Sequence, residues 1–272
     1  MSLNIGILSS AYKAASGGAL LLDTYGGAAA AYSLRKLRTA YNGNCIRVIR
    51  TSDLAQQDIG FVNNVLDTTT LQTFIGSSSG SIVTWYDQSG NSRNATASNR
   101  NGLNLIIISG VLQTINSLPT IYLTSLNIPS FAITGDLSYF MVQKKVSSNK
   151  AGTNVGTAGV SALMFSNWSD NNIYFQRSNG ITGLFIRASD STTGNQILNA
   201  FNQSGLMSMY KNDNIYTINL SSTFGTASNN LDYIGISPNV NGYGSEIIIY
   251  TNSQLSNRTA INTNINSFYS FY

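Results

Sequence analysis

From Ser81 to the C-terminus the chain is a succession of short apolar runs separated by Asn, Gly and Ser. Ile82-Val-Thr-Trp-Tyr86 leads into Asp87-Gln-Ser-Gly-Asn91, a turn-forming sequence. Thr120–Thr124, Leu137–Val142, Asn172–Gln176, Gly183–Arg187, Leu206–Tyr210, Ile215–Leu220, Leu231–Gly235 and Glu246–Tyr250 repeat the pattern. They are rich in β-branched and aromatic side chains, which suit a pleated, half-buried surface. Lys211-Asn-Asp-Asn214 is a hairpin turn between two of them, because Asn and Asp tolerate the left-handed backbone such turns need. No helical stretches alternate with these strands, so the pattern predicts an antiparallel β-sandwich rather than a parallel sheet. No linker or composition break interrupts Ser81 to Tyr272, which predicts one core.

Helical patterns occur at three places. Gly27 to Tyr41 is rich in strong helix formers, with Ala30, Leu34, Leu37 and Tyr41 at helical spacing and Asn42-Gly43 as a stop. This predicts a helix over 28–41. Thr68–Ile75 follows Asp67, whose carboxylate can cap the free N–H groups of a first turn. A third helix is predicted over 256–268, with Ser256 as N-cap and Ile261, Ile265, Phe268 and Tyr269 on one stripe. The first 22 residues differ from the rest. Leu3, Ile5, Ile7, Leu8, Leu20, Leu21 and Leu22 stand among Gly, Ala and Ser without alternation. Burying such side chains is worth about 1.5–3 kcal/mol each. The segment 1–22 therefore reads as an arm that docks onto neighbours, attached to a single sandwich domain at 23–272. An ordinary N-terminal strand of that sandwich is the competing reading.

Composition narrows the function. Only 10% of the 272 residues are charged while 42% are apolar, against roughly 25% charged in ordinary soluble domains. Asn, Ser, Thr and Gly carry solubility instead, a surface that suits close subunit packing. The net charge of +4 reflects scarce acids. The cluster Arg35, Lys36 and Arg38 is too short, and too poor in interleaved aromatics, to predict a nucleic-acid partner. There is no His, and Cys45 is the only Cys. Structural zinc, a Ser-His-Asp triad and a disulfide framework are thereby excluded. Cys45 lies in a strand-like run and reads as a small buried thiol. Met1-Ser-Leu-Asn-Ile-Gly-Ile-Leu lacks the features of a secretory signal, and the longest apolar stretch, Leu103 to Leu112, is too short to span a bilayer. No membrane partner is expected.

Two kinds of candidate ligand contact stand out. Asp87 and Asn91 place carboxylate and amide oxygens in one turn, where they either meet a glycan or Ca²⁺ or cap the turn itself, the reading favoured here. Calcium is the only cofactor the sequence offers. Trp168 and Tyr243, with Tyr25, are candidate platforms for stacking on a sugar ring.

Four segments form an ordered set: Ala31-Tyr-Ser-Leu-Arg-Lys-Leu-Arg, Ala40-Tyr-Asn-Gly-Asn-Cys-Ile-Arg-Val-Ile-Arg-Thr-Ser-Asp53, Asp58-Ile-Gly-Phe61, and Thr84-Trp-Tyr-Asp-Gln-Ser-Gly-Asn91 with Arg93-Asn-Ala-Thr96. The set resembles the catalytic β-sandwich of fungal α-L-arabinofuranosidase B (glycoside hydrolase family 54). It resembles still more closely a group of phage and prophage structural proteins carrying the same signature. Downstream, the Tyr210–Tyr216 hairpin and the Glu246–Tyr250 strand followed by Leu-Ser-Asn-Arg resemble the concanavalin/laminin-G class. The resemblance implies an all-β jelly-roll sandwich of that class with a few short peripheral helices.

It also implies where catalysis would sit. A retaining glycosidase uses two carboxylates about 5–5.5 Å apart. The family's nucleophilic Glu falls in the run matching Leu184–Ser191, where Asp190 is the nearest carboxylate, and its acid/base Asp falls on Asn239. The family's vicinal Cys pair has no counterpart. Glu246, the only Glu, belongs to the closing strand and reads as structural. The expectation is therefore a protein without catalytic residues, releasing no arabinose from aryl arabinofuranosides. Its expected role is structural in a phage virion, as capsid decoration, head fibre or tail component. It would be made in the host cytoplasm and carried in the particle, with other virion proteins and copies of itself as partners. A carbohydrate-binding module reading a host glycan at a tail-fibre tip is the alternative; a glycosidase is the third reading.

Overall fold

The computed structural model describes residues 19–97, 104–146, 154–157, 160–167, 171–178, 183–219, 229–235 and 242–272. Short elements open the chain: α1 (Leu21–Thr24), β1 (Ala30–Ser33), β2 (Ile46–Arg50), β3 (Gln56–Ile59), β4 (Phe61–Val62), β5 (Val65–Leu66) and α2 (Thr68–Ile75). Next come β6 (Gly80–Trp85), β7 (Ala95–Thr96), β8 (Leu105–Ile108), β9 (Val111–Leu112), β10 (Thr114–Ile115), β11 (Leu118–Pro119) and β12 (Ile121–Tyr122). The larger strands are β13 (Ser125–Ile133), β14 (Leu137–Lys145), β15 (Asn154–Thr157), β16 (Val160–Asn167), β17 (Asn172–Ser178) and β18 (Gly183–Ser189). They continue with β19 (Gly194–Gln203), β20 (Leu206–Lys211), β21 (Asn214–Asn219), β22 (Asn229–Gly235) and β23 (Gly242–Tyr250), before the closing helix α3 (Arg258–Tyr269).

The strands pair antiparallel in two layers. In the first, β23 pairs with β14 along one edge and with β1 and then β12 along the other, and β19, β20 and β21 continue beyond β14. The second runs β3–β2–β6, with β7 and β8 beyond β6, and then β13–β22–β15–β16–β17–β18. Among the described residues a single pairing, Tyr122 with Leu105, joins the layers at one corner. This is the all-β sandwich the sequence predicts. It begins earlier than Ser81, since β1, β2 and β3 are full members.

Side-chain parity explains why β14, β19 and β23 read as continuous apolar runs. Tyr139, Met141, Leu198, Ala200, Ile247 and Ile249 face the core between the layers. Their neighbours Phe140, Val142, Ile197, Phe201, Ile248 and Tyr250 face outward, into a second cluster with Leu21, Leu22, Ile261, Ile265 and Tyr269. The central strands are buried on both faces because α1 and α3 cover the first layer, and a strand so placed does not alternate.

The predicted helices meet different fates. Helix α2 forms as expected, with Asp67 accepting from the Thr70 N–H at 3.0 Å. Helix α3 also forms and buries Ile261, Ile265 and Tyr269. It starts at Arg258, after a short 3₁₀ turn over Leu255–Asn257, so Ser256 is not its N-cap. The helix expected over 28–41 does not exist. Ala30–Ser33 is strand β1, paired with Ile249 to Glu246, and Leu34 to Tyr41 is irregular. The physical reason lies in side chains some fifty residues later, described next. Of the proposed arm, Leu3, Ile5, Ile7 and Leu8 lie outside the described residues. Leu21 and Leu22 pack onto their own sandwich, and Leu20 is half-buried beside them.

Candidate functional site

The turn after β6 carries the densest polar construction in the molecule's first half. Asp87 is buried, and its two oxygens accept from the N–H groups of Ala31, Ser89 and Arg93 at 2.9 Å each and from the Ser89 hydroxyl at 2.7 Å. Gln88 is fully buried beside it. Its amide donates to the carbonyls of Ser33 (2.9 Å) and Arg35 (3.0 Å) and accepts from the Leu37 N–H (2.8 Å). The Asn91 amide donates to the carbonyls of Ala28 and Ala29. These side chains supply hydrogen bonds to the backbone of residues 28–37. A helix there would have supplied them internally, which is why its propensity is overridden. Asp87 and Asn91 both stand in this turn, with their polar atoms directed onto the chain's own backbone. Tyr243 sits apart on β23, edge-on to Tyr122 at 5.5 Å with the Lys144 ammonium 5.9 Å from its ring centre. Trp168 and Asn239 lie outside the described residues. Tyr25 is half-buried at the end of α1, its carbonyl accepting from the Tyr250 hydroxyl.

Glu246 has the structural role expected of it. Arg35 grips it with bonds of 2.7 and 2.9 Å, Ser33 donates at 2.7 Å, and its side chain is 0% exposed.

Asp190 is placed differently. It follows β18 on the inward parity of Ile186, and its carboxylate lies beneath the surface among side chains from several strands. Lys211, at the end of β20, donates to Oδ1 at 2.7 Å, and the Thr192 hydroxyl donates to the same oxygen at 2.6 Å. Gln196 of β19 donates to Oδ2 at 3.1 Å. Lys145, fully buried at the end of β14, has its ammonium 3.9 Å from Oδ2 and donates to the Asp190 carbonyl at 2.6 Å. Burial opposes the carboxylate's charge, but the Lys211 and Thr192 bonds and the two ammonium groups outweigh it, so the group titrates below the ordinary aspartate range. Beside it, burial and the Asp190 charge push the Tyr216 phenol up to about 12. Lys211 is 13% exposed and Thr192 is exposed, so this carboxylate lies one side chain from solvent.

The lysines were not identified from sequence, yet a signal existed. Strand parity puts Gln143 and Lys145 on the same face as Tyr139 and Met141, and a lysine at a core-facing position requires a buried partner.

Residues 23–115 match the family model described as "Alpha-L-arabinofuranosidase B, catalytic". A search of curated protein sequences returned no match. Among solved structures, an arabinofuranosidase complexed with arabinofuranosyl-α-1,2-xylobiose superposes with a TM-score of 0.63 at 12% identity, covering 89% of this chain and 62% of that one. A family 54 α-L-arabinofuranosidase soaked with a cyclic sulfate inhibitor gives 0.62 at 13% identity, covering 89% and 63%. This chain therefore spans somewhat under two-thirds of their length, and at such identity the likeness establishes the fold. These findings overturn the reading as a non-catalytic virion component with virion proteins and its own copies as partners. The matching family is a glycosidase catalytic domain, and both neighbours are arabinofuranosidases.

Proposed function

We propose that this chain is a glycosidase-type domain acting on α-L-arabinofuranosides, with Asp190 as its working carboxylate. The observation that carries the reading is the match of residues 23–115 to an arabinofuranosidase catalytic-domain family. The choice of Asp190 follows from its setting. Three carboxylates are buried among the described residues: Asp87, Asp190 and Glu246. Asp87 is held by its own turn and Glu246 by Arg35. Asp190 alone accepts a hydrogen bond from an exposed residue, Thr192, and it is ionised, as a group that stabilises an oxocarbenium-like centre must be.

Hydrolysis also needs a proton for the leaving group, and Asn239 stands where the family's proton donor would fall. A 4-nitrophenolate leaves without protonation, so 4-nitrophenyl α-L-arabinofuranoside isolates the carboxylate's contribution. The wild-type protein is expected to release 4-nitrophenol above a buffer blank, and Asp190→Asn to abolish that release. Turnover of unactivated arabinoxylan should be slower. A folded wild-type protein that releases nothing, or an Asp190→Asn variant that keeps its rate, overturns the assignment.

A further inference from the structure

Away from Asp190, the loop before β2 and the β4–β5 hairpin enclose an open cleft of about 610 Å³, within the size range of small-ligand sites. Asn42, Asn44, Asn63 and Asn64 line it, with the Tyr41 and Phe61 rings and Lys36. It shares no residue with the Asp190 cluster. We propose that it is an accessory binding site for a neutral oligosaccharide.

The walls are held in place before any ligand arrives. Asn63 and Asn64 both adopt the left-handed backbone (φ 51° and 63°), closing the β4–β5 hairpin. The Lys36 N–H donates to the Asn64 carbonyl at 2.8 Å, tying the hairpin to the facing loop. Across the cleft, the Tyr41 hydroxyl donates to the Asn44 carbonyl at 2.7 Å and its ring meets Phe61 edge-on at 6.3 Å. Gly43 is needed for this arrangement: a Cβ there would lie 2.6 Å from the Tyr41 hydroxyl. Binding to a preformed site is spared much of the ordering cost.

The lining selects the ligand class. The four asparagine side chains are exposed, and none is engaged in a hydrogen bond among the described residues. Each amide offers two donors and an acceptor, a set that sugar hydroxyls match because they too donate and accept. The Tyr41–Phe61 pair offers an apolar edge for the C–H face of a sugar ring. Phosphate, an anion with more acceptors than donors at neutral pH, would favour Lys36 and leave most of the amide oxygens unpaired.

The experiment is calorimetric titration with xylotetraose, cellotetraose and maltotetraose, each alone, and with inorganic phosphate as the charged control. Asn63→Gly/Asn64→Gly removes two amides while glycine keeps the left-handed turn. At least one oligosaccharide is expected to bind the wild type. The double variant should weaken it roughly tenfold or more, while hydrolysis of 4-nitrophenyl α-L-arabinofuranoside is unchanged and Asp190→Asn binds as the wild type does. Three results would overturn the site: no oligosaccharide binding by the wild type, undiminished binding by the double variant, or competition by phosphate. Binding lost in Asp190→Asn but kept in the double variant places the sugar at the Asp190 cluster instead.

Discussion

The turn at Asp87 and the end of the sandwich at Asp190 each bury a carboxylate, and they stabilise it by opposite means. Asp87 is surrounded by dipoles: three backbone N–H groups and a hydroxyl from within its own fold. Asp190 is surrounded by two ammonium groups and a hydroxyl, those of Lys145, Lys211 and Thr192, drawn from two strands and a loop. The first arrangement fixes a backbone path and leaves the carboxylate nothing further to do. The second holds a charge by opposite charges, beneath an exposed residue. The segment Thr84–Asn91 therefore serves to close the sandwich, and chemistry has to be sought on other strands.

The largest effect should come from the dipole-held carboxylate. Asp87→Ala orphans the Ala31 N–H, which is buried, and the partly buried N–H groups of Ser89 and Arg93. At about 1–3 kcal/mol for each buried donor left unmade, a loss of roughly 3 kcal/mol or more is expected. It would be read as a fall in the urea midpoint at constant slope. Equal destabilisation by Asp87→Ala and Asp190→Asn would erase the distinction between the two regions.

Asp190→Asn should cost less, about 1.5–3 kcal/mol, as for other hydrogen bonds to charged groups, because Lys145 keeps its bond to the residue 190 carbonyl and an amide oxygen still accepts from Lys211 or Thr192. It should also change the pH dependence. The folded-state value of Asp190 is depressed, so its contribution is full above the unfolded value of about 3.9. It fades as pH falls and is lost below the folded-state value. Urea midpoints between pH 2 and 6 should therefore drop less steeply in Asp190→Asn than in the wild type. Identical slopes would mean that the ion cluster does not hold the carboxylate as the distances imply.

How much of this was legible in the sequence depends on how far away each cause lies. Strands β14, β17, β18 and β20 to β23 were readable because apolar runs and Asn-rich turns are local signals, and α2 and α3 because their caps or stripes are local too; β13, β15, β16 and β19 were not read from the sequence. The segment 28–41 misled because its hydrogen bonds come from Asp87, Gln88 and Asn91, far along the chain, so local propensity had no vote. Asp190 could be singled out as a carboxylate, but its lysines sit on β14 and β20, and only the folded sheet brings them to it. The expectation of lost catalysis rested on the residues at two aligned positions, and the match of residues 23–115 to a catalytic-domain family overturns it.

The smallest effect serves as the local control for this comparison. Asp67 is neither buried like Asp87 nor ion-paired like Asp190. It accepts from the Thr70 N–H at 3.0 Å and the Thr70 hydroxyl at 2.6 Å, at the start of a helix of eight residues. The Thr70 hydroxyl and then its N–H hold the carboxyl below the usual aspartate range. Removing an N-cap typically costs about 1 kcal/mol, so Asp67→Ala should lower stability by that amount near neutral pH. Asp67→Asn should lose much less, since Asn caps about as well. Because the depressed carboxyl contributes above the unfolded value and loses that contribution as pH falls through the folded one, the gap between wild type and Asp67→Asn should close in acid. Helix α2 supplies no residue to the Asp190 cluster or to the lining of the asparagine cleft, and the Asp67 N–H bond to Gly60 survives both changes, so turnover and oligosaccharide binding should be unaffected by either. A loss near 3 kcal/mol in Asp67→Ala would show that caps and dipole-held turns are of one kind in this fold, and that the Asp87 turn is not special.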